Sequence, residues 1–346
     1  MTDTYRKYVL PERTGFHCLT IRDMPKPRPK HGHVLVRVKA VSLNWRDCAI
    51  AKGLYPYPGR SCDFPCTDGA GIIEETGEGV RDFQAGDRVV ATFIHRHIAG
   101  RLTPEILQSE LDSGRPGLLG EYVVLPQTGV LRVPEYLSLK EASCLPCAAV
   151  TAWNALYGAV PIRPGDIVLL QGTGGVSMFG LQLARAAGAV TIVTSSSDEK
   201  LAKAKELGAT HGINYRASDW VAEVERITHG HGADHIIEVA GIQTLPQSLQ
   251  AVAWNGMIHS VGHITNMTDD QRGNTHDASA FFLDKPYTLR RVIVGSREQF
   301  QDMLACFAAH SIRPVINRVF EFEKAPEAYE FLWASSHIGK VVIRIP

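Results

Sequence analysis

No apolar run in this 346-residue chain approaches the ~20 residues that cross a bilayer, so no membrane-spanning helix is expected. Neither sign of charge is in excess: Lys+Arg and Asp+Glu number 36 each. That removes the electrostatic footprint expected of nucleic-acid or acidic-membrane partners. Cysteines are few, odd in number at seven, and scattered, which argues against a disulfide framework and for free thiols in a reducing compartment. The start, Met1-Thr2-Asp3-Thr4-Tyr5-Arg6-Lys7, has no signal-peptide core, and a cytoplasmic location is expected. Internal repeats and low-complexity tracts are also missing. What remains, 45% apolar and 21% charged, is an ordinary globular composition with length for two domains.

The most informative stretch present is Gln171-Gly172-Thr173-Gly174-Gly175-Val176-Ser177. It follows the apolar run Ile167-Val168-Leu169-Leu170 and opens an Ala-rich apolar segment over 178–187. A buried strand, a tight glycine turn and a helix N-terminus together form a pyrophosphate cradle, because the free N–H groups and positive dipole end bind phosphate. Ser177 stands where the third glycine of that pattern is usual. From Pro164-Gly165-Asp166 onward, apolar runs near 167–170, 190–194, 212–214, 235–239 and 257–261 alternate with helical segments near 178–187, 199–207, 220–227 and 245–253. The succession predicts a doubly wound parallel α/β sheet with helices on both faces. The N-terminal third is β-rich, with partial period-two alternation over 34–43 and short strands near 71–75, 87–92 and 121–125. Residues 93–119 read as a surface insertion in which His95 and His97 are solvated, and the C-terminal part returns to mixed structure.

These features, with Leu43-Asn44-Trp45-Arg46-Asp47, Asp68-Gly69-Ala70-Gly71, Gly86-Asp87-Arg88-Val89, Thr151-Ala152-Trp153, Leu207-Gly208-Ala209, Ile213-Asn214-Tyr215 and Gly339-Lys340-Val341-Val342, run through nearly the whole chain. In that order they resemble the medium-chain dehydrogenase/reductase superfamily, close to its zinc-independent, quinone-oxidoreductase-like branch. The resemblance implies a Rossmann domain, 153–296, inserted in a β-rich GroES-like catalytic domain built from 1–152 and 297–346. It also implies an NAD(P)-dependent oxidoreductase acting on a small molecule, and a homodimer or dimer of dimers with 292–294 as the candidate apolar edge.

NAD-specific sites usually place a carboxylate at the end of the second strand, on the ribose hydroxyls. Here that strand ends Thr194-Ser195-Ser196-Ser197, and by family register Ser195 stands where zinc alcohol dehydrogenases have their Asp. Hydroxyls donate to a 2′-phosphate without repelling it, and Lys200 or Arg216 could neutralise it, so NADP(H) is the expected cofactor. The same serines also suit a turn and helix cap. Further cofactor candidates are Gly172, Thr173, Gly174, Gly175, Val176, Ser196 and Tyr215, with Gly241, Val261, Gly262, Val294, Gly295 and Ser296 at or beyond strand ends. By resemblance, Thr151 touches the nicotinamide and Lys340 lies near the cofactor phosphates.

The family's catalytic-zinc positions fall on Asn44, Thr67 and Cys147, a poor zinc set, so no metal is expected. Cys144-Leu145-Pro146-Cys147, with Cys62 and Cys66, leaves a four-thiolate site conceivable, with buried free thiols as the alternative. Without zinc the acceptor, a quinone, an enone or a small aldehyde or ketone, must be polarised by hydrogen bonds. Asn44 and Asp47 are the first catalytic candidates. Arg46–Asp47 as a structural ion pair is the alternative for Asp47. Tyr55 and Tyr57 are further candidates, as pocket walls, proton donors or plain packing residues. The rivals to this reading are a zinc alcohol dehydrogenase and a non-catalytic NADPH-binding protein.

Overall fold

The computed structural model describes residues 4–55, 65–107, 117–262 and 285–346; Tyr57 and Cys62 lie outside them. The chain divides into two compact units, residues 1–150 with 294–346, and residues 151–293. The first unit begins with strands β1 (Thr4–Val9), β2 (Thr20–Pro25) and β3 (His33–Leu43), helix α1 (Trp45–Ala51), and strands β4 (Asp68–Thr76) and β5 (Arg88–Ala91). The short helix α2 (Pro104–Leu107), strands β6 (Tyr122–Pro126) and β7 (Val130–Arg132) and helix α3 (Leu139–Ala142) follow. A π-helical turn, Leu145–Ala149, then leads into helix α4 (Val150–Tyr157).

The second unit contains β8 (Ile167–Gln171), α5 (Gly175–Ala186), β9 (Val190–Ser195), α6 (Asp198–Glu206) and β10 (His211–Asn214). It continues through α7 (Trp220–Ile227), β11 (Ala233–Glu238), α8 (Leu245–Ala251), β12 (Val252–Ser260) and β13 (Thr288–Arg291). The chain then returns to the first unit with α9 (Arg297–Ala309), β14 (Ile316–Glu321), α10 (Ala325–Trp333) and β15 (Lys340–Arg344).

Among the described residues the second unit holds a six-stranded sheet in the order β10-β9-β8-β11-β12-β13, every pair parallel. Strand order reverses between β8 and β11, the switch point where ligands of open α/β sheets bind. Alternation along the strands buries both faces. Leu169, Ile192, Ile236 and Ile258 pack with Trp220 and Val224 of α7 and Leu249 of α8. On the other face α5 lies so close that a Cβ at Gly180 would come within 2.7 Å of Leu170 and 2.9 Å of Ile237. Each fully buried Leu or Ile contributes on the order of 1.5–3 kcal/mol.

The first unit's seven-stranded sheet runs β14-β15-β3-β4-β5-β7, with β6 also paired to β3. Its core joins Val36, Val38 and Leu43 of β3 to Phe320, Phe322, Tyr329 and Ile343 from the C-terminal segment, so the two chain ends share one core. That sharing is why the dinucleotide fold reads as an insertion.

Two expectations change, and one helix is added. His95 and His97 are 2% and 5% exposed, not solvated, because Phe93 and Ile94 carry this segment into the interior. The outer strand of the parallel sheet is β13 rather than 292–294; Val292 and Val294 are buried. Helix α9, with buried Phe300, Met303, Leu304 and Phe307 on one face, is not among the sequence-based expectations.

Within the second unit His235 and His259 stack at 5.4 Å, and Nδ1 of the first lies 3.1 Å from Nε2 of the second. Asp166 approaches His235 at 3.6 Å, and Arg290 of β13 sits opposite His259 in register. Burial holds both histidines below their ordinary pKa, His259 at about 3 with help from His235 and Arg290, while Asp166 and Asp234 oppose the shift at His235. The unfolded chain, with histidines near pKa 6.5, therefore binds more protons in mild acid. This stability is intact above pH ~6.5 and is expected to drain away toward pH 3. Melting temperature followed from pH 7.5 to 4.5 should fall less steeply in His259→Gln than in the wild type; parallel curves would rule the histidine pair out.

Candidate active site

In the first unit three strand ends meet. Strand β3 ends at Leu43, antiparallel β15 pairs Val341 with Leu43, and β4 pairs Asp68 with Ser42. Asn44 follows β3 as the N-cap of α1, and its backbone N–H donates to Asp47 Oδ2 at 2.7 Å. Asp47 is buried at the third helical position, where a carboxylate suits both an orphan N–H and the helix dipole. Its observed work is to hold Asn44 in place. Arg46 lies between the Tyr55 and Phe93 rings, 5.0 and 4.9 Å from their centres, and its Nε donates to the Tyr55 hydroxyl at 3.3 Å. Tyr55 also packs on the core.

Lys340, first residue of β15, is 3% exposed. Its Nζ donates to Asn44 Oδ1 at 2.6 Å and to the Leu43 carbonyl at 2.7 Å, and lies 3.9 Å from Asp68 Oδ2. These Lys340 contacts all lie within the first unit. An ammonium only donates, so the Asn44 amide must turn its oxygen inward. Its Nδ2 is then buried on the Asp68 side, close enough to lower that carboxyl's pKa but without a partner at full hydrogen-bond geometry among the described residues.

Asp68 is fully buried and accepts from the Cys147 backbone N–H at 3.2 Å and from Thr67 Oγ1 at 3.4 Å. Burial raises its pKa, and the Lys340 charge, a hydrogen bond from the Asn44 side-chain NH2, the Cys147 N–H and Arg46 each pull it back. Burial also pushes the Cys144 thiol up to about 11 and the Cys147 thiol well above the usual thiol range, Asp68 adding to both. Neither thiol is therefore a thiolate at neutral pH.

In the second unit the carboxyl edge of the parallel sheet carries the cradle. Gly172 has φ +70°, and nothing lies within 4 Å of where its Cβ would be. Gly174 caps the 12-residue helix α5 without a side chain, leaving its first N–H groups open beside Thr173, Gly175 and Val176. Ser177 donates to Gln171 O at 2.6 Å, which explains a small hydroxyl residue at the usual glycine position. At the end of β9, Ser195 Oγ accepts from the Ser197 N–H at 3.3 Å, and its carbonyl accepts from the Tyr215 N–H at 3.1 Å. Tyr215 and Arg216 are exposed, and Ser196 and Lys200 are half-buried. Asp198 is turned to Asn214 Nδ2 at 2.8 Å. Thr151 is buried on α4.

Gly241, Val261 and Gly262 gather at the end of β11 through N–H bonds to Glu238. Sequence reasoning missed Glu238. This buried carboxylate accepts from Gln171 Nε2, the Ser248 and Thr244 hydroxyls and the Ala240 and Gly241 N–H groups, tying the strand before the cradle to the loop after β11. A carboxylate inside the run His235-Ile236-Ile237-Glu238-Val239 is the signal that could have found it. Val294, Gly295 and Ser296 belong to the first unit, where Ser296 Oγ accepts from the Gln299 N–H as the cap of α9.

Comparison with known proteins adds the following. Residues 30–135 match the family described as alcohol dehydrogenase GroES-like domain, and residues 175–309 the family described as zinc-binding dehydrogenase. A zinc-type alcohol dehydrogenase-like protein of Schizosaccharomyces pombe is 45% identical, over 98% of this chain and 99% of its own length. A solved NAD-dependent alcohol dehydrogenase is 31% identical with a TM-score of 0.85, covering 99% of this chain and 100% of that one. The quinone oxidoreductase of Pseudomonas syringae pv. Tomato is 26% identical with a TM-score of 0.82 at the same coverage.

Proposed function

Because this chain belongs to the medium-chain dehydrogenase/reductase superfamily, in its quinone-oxidoreductase-like branch, we propose that this oxidoreductase is a zinc-independent, NADPH-preferring reductase of quinones, enones or small aldehydes and ketones. The observation that carries the reading is the Asn44 amide, its oxygen held by Lys340 and its buried Nδ2 left to donate. A buried donor without a partner costs about 1–3 kcal/mol, which an acceptor oxygen arriving there would recover.

The zinc implied by the matched family's description does not fit these residues. A catalytic zinc takes three protein ligands, commonly thiolate, imidazole or carboxylate, and keeps a fourth position open. Here the corresponding positions offer an amide oxygen already taken by an ammonium, a hydroxyl bonded to Asp68 and a single thiol, so charge and softness are both short of what zinc needs. Among the described residues no three His, Cys, Asp or Glu side chains gather into a possible ligand set.

The residues of the second unit do fit a dinucleotide, through the open glycine turn and the uncapped N-terminus of α5. A bound nicotinamide supplies hydride to the acceptor carbon or quinone oxygen. Asn44 Nδ2 then stabilises the charge that develops on oxygen, the α1 N-cap and Lys340 keep it in place, and a solvent proton completes the product. NADPH is favoured over NADH by hydroxyls at Ser195 and Ser196, by the absence of a strand-end carboxylate, and by Lys200 and Arg216 nearby in sequence.

Pure protein is expected to contain well under one zinc per chain and to oxidise NADPH with a quinone and enone panel equally well after chelation. Stoichiometric zinc lost together with activity would overturn the reading.

A further inference from the structure

Lys340 is a buried cation whose place in the site no conventional role explains. Its main chain is already secured, since β15 pairs with both β14 and β3 and the Lys340 N–H donates to Val315 O at 2.8 Å. Its charge is costly to bury, and it is retained beside a carboxylate that is itself fully buried. A stability role alone is served as well by two apolar residues of similar volume. The pair instead places a full positive charge 2.6 Å from the oxygen of an amide whose buried nitrogen has no partner at full hydrogen-bond geometry among the described residues.

We infer that Lys340 is the positioning residue of the acceptor site, locking the Asn44 amide with its oxygen on the ammonium and strengthening the Nδ2–H that Asp68 leaves over as a donor. This rests on the reading of Asn44 as the group that meets the acceptor oxygen. Two physical effects follow from the same contact. A flipped amide would set its NH2 against an ammonium, donor against donor, so the orientation is single-valued. A cation on an amide oxygen draws electron density from the nitrogen, so the two bonds reinforce each other in a low-dielectric site. Asp68 balances the charge without touching the acceptor, and Leu43 O fixes the ammonium's height along the strand end.

The test is a cycle between Asn44→Ala and the charge-neutral pair Lys340→Met/Asp68→Asn, which avoids stranding a buried carboxylate. Steady-state turnover with the best quinone acceptor, NADPH affinity by fluorescence titration and melting temperature are read for each. The paired variant should lower kcat by about tenfold, a share of the loss typical of one oxyanion donor, with NADPH affinity within about twofold. Added to Asn44→Ala, it should change kcat by less than about twofold, since the residue it acts through is gone.

An unchanged kcat in the paired variant, or losses that multiply, overturns the role of Lys340 while leaving Asn44 standing. No effect of Asn44→Ala overturns both. A tenfold loss of NADPH affinity in the paired variant places Lys340 on the cofactor phosphates and also overturns the inference. If the paired variant does not fold, Lys340→Gln is read in the same cycle: it keeps a donor but adds an acceptor, so it frees the amide to flip and should lower kcat severalfold on the same criteria.

Discussion

Asn44→Ala is expected to lower turnover on the best acceptor by about 2–3 kcal/mol, roughly 30- to 150-fold, with NADPH affinity unchanged. The amide sits in the first unit, between Lys340 and the α1 N-terminus. A donor that meets charge only as it develops acts on the rate and not on the ground-state complex. The substitution leaves the backbone N–H bond to Asp47 in place and leaves Lys340 the Leu43 carbonyl and Asp68. The lost Lys340 bond, worth about 1.5–3 kcal/mol because it is charged, should therefore appear as a drop of a few degrees in melting temperature. Unchanged turnover in a folded variant would reduce Asn44 to a helix cap and send the search for the donor to Tyr55 or Thr151.

Ser195→Asp should weaken NADPH by about 1–3 kcal/mol, roughly 5- to 150-fold, while NADH binding holds or improves. On the proposed NADPH binding mode, the substitution sets a carboxylate beside the adenosine 2′-phosphate and removes a donor. Fold is spared, because an Asp there can still accept the Ser197 N–H that Ser195 Oγ now takes. Isothermal titration of both cofactors against both proteins checks this. A wild type that binds NADH and NADPH equally, or a variant that keeps its NADPH affinity, would remove the assignment. The 31%-identical NAD-dependent relative makes this a real contest.

Most of the dinucleotide fold was legible because its signals are local. Strand β8, the turn at Gly172 and helix α5 are contiguous, and each strand–helix step from β8 to β12 announces itself by an apolar run and a change of period. Strand β13 was not legible. Thr288-Leu289-Arg290-Arg291 has neither alternation nor an apolar run, and only pairing with β12 makes it a strand. His95 and His97 were misread for a related reason: their polarity says surface, while burial is decided by neighbours distant in sequence, such as Gly129 packed on the His95 ring.

For the site, the chain by itself determined which residue types are present and which are missing: an amide, a hydroxyl and one thiol at the would-be metal positions, serines where a carboxylate would hold ribose, and a glycine turn before a helix. Those are properties of single positions and short windows. Only the tertiary structure decided what each group faces. It sets Lys340 on Asn44 across 296 residues of sequence and Gln171 on Glu238 across 67, and it sets the Asp47 carboxylate on the Asn44 N–H at the start of α1. The reason is physical: hydrogen-bond partners and desolvation depend on which strand ends the sheets bring together, and that pairing is written in no local pattern of the chain.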